Sequence, residues 1–318
     1  MLLKKSIIKM SATVFFLMAV VSCVNGKKKE EAINDTVKQM ESEPFFKISL
    51  AQWSLHKAIR SGEMSPFDFA KEAHALGVEA IEYVSGLYRD EVKSMGIEAV
   101  VDKLKAESES HGVKNLLIMV DGEGNLASSD AEEQNAAIEN HKKWVDAAKS
   151  LGCHSIRVNA HGDGSYEEVM AQAAVGLGKL AEYAKTKNIN IIVENHGGYT
   201  SNGQWLASVM KQVNMSNCGT LPDFGNFCLK GHVGNCEEWY DKYKGVEELM
   251  PFAKAVSAKS YDFDEAGNEA EIDYARMLKI VKDAGYTGYV GIEYEGSNLS
   301  EKEGILATKK LLEKLQGI

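Results

Sequence analysis

The sequence predicts a single α/β domain, a (β/α)8 or TIM barrel, and three observations carry that expectation. From Phe46 onward, short runs rich in β-branched and aliphatic residues alternate with amphipathic helical stretches. Several of those stretches end in glycine just before the next run. No Gly-rich dinucleotide or P-loop fingerprint follows any run. Such alternation implies parallel strands with right-handed crossovers. Eight units in about 270 residues suit a closed barrel better than an open doubly wound sheet.

The expected strands are Lys47–Trp53, Ala80–Val84, Asn115–Val120, Ser155–Ala160, Asn190–Asn195, Gly219–Asp223, Ala255–Ser260 and Gly288–Tyr294. Between them the 3.6-residue pattern predicts helices over Pro66–Leu76, Ala99–His111, Ala131–Leu151, Glu167–Lys187, Gln204–Val213, Glu237–Ala253, Ile272–Ala284 and Ser300–Leu315. Gly77, Gly112, Gly152 and Gly285 each follow a helical pattern and precede a strand. Glycine adopts the left-handed conformation that ends a helix, so these four read as C-caps.

The N-terminus stands apart from this pattern. Lys4 and Lys5 precede an apolar run from Ile7 to Val21, too short and wrongly flanked for a spanning helix, as in a signal peptide. The run ends in Val20-Val21-Ser22-Cys23, which resembles a bacterial lipobox. Residues 1–22 are therefore expected to be removed and Cys23 acylated, anchoring an exported protein in the bacterial cell envelope. Residues 23–44 are polar and charged and read as a tether, leaving 45–318 for the barrel. Cys153 and Cys218 begin strands and are expected as buried thiols. Cys228 and Cys236 are close enough to close a short loop in an oxidising compartment. A net charge of -10 argues against a nucleic-acid surface, which needs a basic stripe.

Chemistry in a parallel barrel gathers where strands end and βα loops begin. Such a strand should be apolar on both faces. Yet Glu194 directly follows Asn190-Ile-Ile-Val193, Asp223 follows Thr220-Leu-Pro222, and Glu293 follows Gly291-Ile292. Burying an unpaired carboxylate is costly, and coordinating a cation is one of few remedies. Three carboxylates converging from the fifth, sixth and eighth strands suit a hard divalent ion. Mg²⁺, Mn²⁺ or Ca²⁺ is favoured, with Zn²⁺ a further candidate.

These three residues and their flanks resemble the metal positions of the sugar phosphate isomerase/epimerase family, the xylose-isomerase-like barrels. The likeness covers about residues 46–315 and every strand. It implies that Glu194, Asp223 and Glu293 are metal ligands, and that Glu194 and Glu293 also shuttle a proton as an acid/base pair. One position departs from the family pattern. Where the seventh strand should read His-x-Lys, this chain has Ser257-Ala258-Lys259. His196, two residues after Glu194, shares its strand face. It is a candidate replacement ligand, or else a contact to a substrate hydroxyl.

Other strand-end residues complete the expected site. Lys259 can polarise a carbonyl or pair with a nearby carboxylate. Trp53 and His56 can wall a sugar ring. Asn159 and His161 can read hydroxyls, and Arg157 can partner a buried carboxylate. Glu82 can accept from a substrate hydroxyl or serve such an arginine. Tyr199, Asn226 and His232 lie on loops at the expected entrance.

The function this pattern favours is metal-dependent proton transfer next to a sugar carbonyl, as in an isomerase or epimerase. A second enzyme reading uses the same centre to hydrolyse or eliminate a keto-sugar glycoside. A third, from another class, is a non-catalytic carbohydrate-binding lipoprotein. It leaves three convergent carboxylates without a purpose. Endonuclease activity is disfavoured by the acidic charge and by too few histidines for a multi-zinc site.

Overall fold

A computed structural model describes residues 44–232 and 234–318. The signal peptide, Cys23 and most of the tether lie outside the described residues. Among the described residues there are ten strands, named in chain order. They are β1 Lys47–Ala51, β2 Ala80–Val84, β3 Lys114–Met119, β4 Ser155–Val158, β5 Asn190–Glu194, β6 Cys218–Leu221, β7 Cys228–His232, β8 Asn235–Trp239, β9 Val256–Ser260 and β10 Tyr289–Tyr294. Eight form one parallel sheet in the order β6-β5-β4-β3-β2-β1-β10-β9. The two ends of that sheet meet through parallel bridges pairing Thr220 with Ala253 and Asp223 with Ser257. The Ser257 amide donates to Pro222 O at 2.9 Å and the Phe224 amide to Ser257 O at 3.1 Å, which closes the barrel.

All eight expected strands are found, because each is a short apolar run bounded by turn residues. Their interiors are buried: Leu50, Ile81, Leu117, Ile156, Ile191, Leu221, Val256 and Ile292 are all solvent-inaccessible. The four glycine C-caps hold as well, with Gly77, Gly112, Gly152 and Gly285 at φ of 69°, 65°, 77° and 74°.

The helix expected over Glu237–Ala253 is a correction. Its first part is strand β8, paired antiparallel with β7 in a two-stranded hairpin outside the barrel sheet. Gly231 and Gly234, at φ of 97° and 90°, provide the left-handed backbone around the reversal. Cys228 and Cys236 are joined by a disulfide across the hairpin. The helix begins only at Lys242 and runs to Leu249, because the Asp241 side chain accepts from the Tyr243 and Lys244 amides and so caps it. Cys153 and Cys218 are buried free thiols, as expected. Among the described residues no helix is long and apolar enough to cross a membrane.

Candidate metal and proton-transfer site

The closure of the barrel between β6 and β9 brings the three predicted carboxylates together. One carboxylate oxygen each from Glu194, Asp223 and Glu293 lies within 4.8 Å of the other two, and all three residues are buried. Glu194 ends β5, Asp223 follows β6 and Glu293 sits in β10, so three strand ends aim at one point. Above them opens a cavity of about 710 Å³, whose wall includes Trp53, Asp121, Arg157, His196, Asn226 and Glu293.

Each carboxylate has partners, yet the donors are too few. Arg157 Nε approaches Glu194 Oε2 at 3.0 Å, an ion contact whose angle does not make a hydrogen bond. Asn226 donates to Glu194 Oε1 at 3.0 Å. Asp223 Oδ1 accepts from the Gly225 and Asn226 amides at 2.8 and 2.7 Å. The Ser257 hydroxyl lies 2.6 Å from Asp223 Oδ2 and 3.0 Å from Glu293 Oε2. A hydroxyl carries one proton and can donate to only one of them. With both acids ionised, the second contact sets oxygen against oxygen. Burial, which Arg157 only partly offsets, pushes Glu194 up to about 7, and burial likewise pushes Asp223 up to about 7 against the pull of Lys259. This donor deficit among hard oxygens fits a divalent cation held by Glu194, Asp223 and Glu293, even with serine in place of histidine on β9.

Lys259 is the internal counter-ion. Its ammonium lies 2.8 Å from Glu293 Oε1 and 3.8 Å from Asp223 Oδ2, and it also bonds Glu295. Gly225 makes room for its stem, since a Cβ there would come 2.6 Å from Lys259 Cγ. Burial opposes the lysine's charge, but the surrounding carboxylates hold its pKa well above the usual value. Of the roles the sequence left open for Lys259, this arrangement displays the pairing with nearby carboxylates.

The remaining predicted residues divide. Trp53, His196, Asn226 and His232 line the cavity. His196 stands outside the carboxylate cluster, at the exposed mouth, which suits a substrate contact better than the fourth-ligand role. His56 does not line the cavity. It stacks on Trp53 at 4.4 Å, with Nδ1 2.6 Å from the Trp53 carbonyl oxygen. Asn159 is spent on Asp121, to which it donates at 2.8 Å. His161 and Tyr199 line a second depression near Gly162 and Leu229.

Glu82 is inside the barrel wall rather than in the cavity. Ser49 donates to its Oε1 at 2.6 Å, while Oε2 has no partner. Gly291 of β10 permits this, because a Cβ there would stand 2.6 Å from Glu82 Oε1. Burial pushes the Glu82 carboxyl up to about 7. An acid whose folded pKa is raised binds more protons folded than unfolded, so it costs stability as pH rises from its ordinary value through the raised one. Glu82→Gln is therefore expected to stabilise the protein at pH 8 by about 2–3 kcal/mol, with the gain vanishing below about pH 5. Urea unfolding of both proteins across that range checks it; a gain independent of pH would exclude this titration as the cause.

Two residues of the cavity wall escaped the sequence reading. Asp121, just after β3, accepts from Arg157 Nη1 at 2.8 Å. Although burial raises its pKa, the Arg157 charge more than compensates and leaves it at about 2. Glu295 is two residues beyond Glu293 and bonds Lys259. Its position at a strand end was the available signal for both.

Known proteins resemble this chain in short stretches of sequence and in fold. Two curated relatives match short stretches. The C-glycoside deglycosidase alpha subunit of Arthrobacter globiformis is 39% identical over 77 residues, 23% of this chain and 20% of the relative. The 3'-dehydrocarminate deglycosidase alpha subunit of a Microbacterium species is 42% identical over 48 residues, 15% of this chain and 14% of the relative. The chain thus spans a fifth or less of the length of these relatives. Among solved structures, a D-psicose 3-epimerase crystallised in the presence of D-fructose superposes with a TM-score of 0.63 at 12% identity, over 86% of this chain and 100% of that one. A 3-keto-D-glucoside 4-epimerase from E. coli gives 0.65 at 11% identity, over 85% and 99%. A xylose isomerase-like protein from Mycobacterium smegmatis in complex with magnesium gives 0.58 at 17%, over 80% and 90%. These likenesses show the fold. The family model described as the xylose isomerase-like TIM barrel matches residues 70–315, and the chain belongs to that family.

Proposed function

We propose that this protein is a sugar isomerase or epimerase that moves a proton at a carbon beside a carbonyl. The observation that carries the reading is the buried Glu194–Asp223–Glu293 cluster, with oxygens within 4.8 Å of one another, beneath an open cavity of about 710 Å³. A divalent cation held there by the three carboxylates would polarise the carbonyl and stabilise negative charge developing on its oxygen. Glu293 reaches the cavity and would take the proton. Glu194, held by Arg157 and Asn226, would return one as the second member of the acid/base pair. Ser257 and Lys259 hold Glu293 in position through contacts of 3.0 and 2.8 Å. His196 and Asn226 line the cavity and would hydrogen-bond the hydroxyls of the ring.

Turnover of candidate sugars in deuterated water tests this reading. Deuterium appearing at a single carbon supports it. Turnover without gain of solvent label, and with retention of a label placed at the reacting carbon, rejects it.

A second reading is favoured by the two deglycosidase relatives. Proton abstraction beside the carbonyl of a keto-glycoside, followed by loss of the aglycone, begins with the same step at the same carboxylates. Release of the aglycone alongside deuterium uptake would select it.

The metal has its own test. Asp223→Asn removes an anionic oxygen ligand and is expected to lower the bound divalent ion at least tenfold, read by elemental analysis after dialysis against Mg²⁺, Mn²⁺, Ca²⁺ or Zn²⁺. Unchanged metal content would give the cluster another purpose. For localisation, export and acylation at Cys23 predict that Cys23→Ala moves the protein from the membrane fraction to the soluble one; identical fractionation would remove the anchor from the account.

A further inference from the structure

The chain is lysine-rich and arginine-poor: it has 36 basic residues, and Arg60, Arg89, Arg157 and Arg276 are its four arginines. Three of the four, Arg60, Arg89 and Arg157, line the one cavity above the carboxylates. Arg157 is accounted for by Asp121 and Glu194. Arg60 and Arg89 are not. Neither has a carboxylate oxygen within 4.0 Å among the described residues, in a protein whose net charge is -10.

Their placement is specific. Arg60 ends the short helix after β1, and Arg89 begins the helix after β2. These are adjacent barrel strands, and the helix His56–Arg60 packs against the turn Ser85–Tyr88 that leads to Arg89. Both arginines therefore serve one sector of the rim. Arg60 is steadied by lying over the Trp53 ring at 4.6 Å, and Arg89 lies across Gly122, where a Cβ would come 3.4 Å from its Nη2. Glu293 lies on the cavity floor.

Arginine rather than lysine at both positions matters chemically. A guanidinium presents paired N–H donors in a plane that match two oxygens of a carboxylate or phosphate, whereas an ammonium acts as a point charge. Exposed and, among the described residues, without a carboxylate partner, the two guanidiniums are free to receive an anion entering the cavity.

We propose that Arg60 and Arg89 form an oxyanion subsite, and that the substrate is an acidic sugar or glycoside whose carboxylate or phosphate docks at this rim. The inference rests on the sugar reading of the cavity and names the substrate class within it.

The test is equilibrium binding to the purified full chain, which requires no turnover. D-Glucuronate, D-glucose 6-phosphate and neutral D-glucose are titrated by calorimetry at 20 and 150 mM salt. At least one anion should bind tenfold or more tighter than D-glucose, and that advantage should shrink at the higher salt. Arg60→Gln and Arg89→Gln should each reduce the advantage several-fold, and the double variant should abolish it. Arg276→Gln, on the outer helix where the guanidinium covers Tyr243, should leave it intact. Preference for glucuronate assigns a carboxylate, and preference for the ester assigns a phosphate. Equal binding of all three sugars, absence of any anion binding, or a preference that survives the double variant overturns the subsite. Deuterium exchange judges the proton-transfer reading separately.

Discussion

Glu293→Gln and Glu194→Gln are each expected to lose about 10²- to 10⁴-fold in the rate of solvent deuterium incorporation, the usual effect of deleting a general acid or base. Glutamine keeps the shape and one coordinating oxygen, so saturating metal can restore occupancy without restoring the proton acceptor. The loss must therefore persist when elemental analysis shows full metal. The two variants need not be equal. Glu293 reaches the cavity, whereas Glu194 sits behind Asn226, so Glu293→Gln should stop removal of substrate label more completely. If added metal returns either variant to the wild-type exchange rate, that glutamate is a ligand only, and the paired-glutamate mechanism fails.

Lys259→Met should produce the largest change in stability. The ammonium is 1% exposed and is shared among Glu293, Glu295 and Asp223. Removing one partner from a buried ion cluster typically costs about 3–5 kcal/mol, because the charges left behind are uncompensated. Methionine matches the stem, so the cavity contribution is small. The cost should depend on pH. Burial raises Glu295 in isolation, but the Lys259 charge outweighs it and holds its carboxyl below the usual range. That contribution is present above the ordinary carboxylate pKa and is lost as pH falls through the depressed one. The wild-type advantage should thus be fully present above the ordinary carboxylate pKa and narrow below it, as Glu295 takes up its proton. A divalent ion should also stabilise Lys259→Met more than wild type, since both cations answer the same negative charge. A pH-independent loss measured by urea denaturation would point to packing instead.

Much of the barrel was determined by the sequence. Each strand is a run such as Asn190-Ile-Ile-Val193, apolar because a parallel strand is covered on both sides. Each capping glycine marks a backbone conformation that other residues reach only with strain. The three carboxylates were legible for the same reason, as charges placed where the local pattern demands apolar residues. Proximity along the chain was a poorer guide. Glu237–Ala253 has a helix-like charge pattern, but its first residues pair with β7 across a disulfide, a partner that periodicity cannot register.

What only the tertiary structure decided is how charge is divided once the strands converge. The meeting of β9 and β10 commits the Lys259 ammonium to Glu293 and Glu295. Asn159, just after β4, and His56, at the start of the helix that follows β1, are drawn aside by Asp121 and by Trp53. Arg60 and Arg89 sit 29 positions apart in unremarkable helical surroundings, and only adjacent loops of a closed barrel bring them to one rim. Residue type and local spacing report which groups are costly to bury. Which of them meet depends on closure between β6 and β9, and Coulomb energies fall with distances that closure alone fixes.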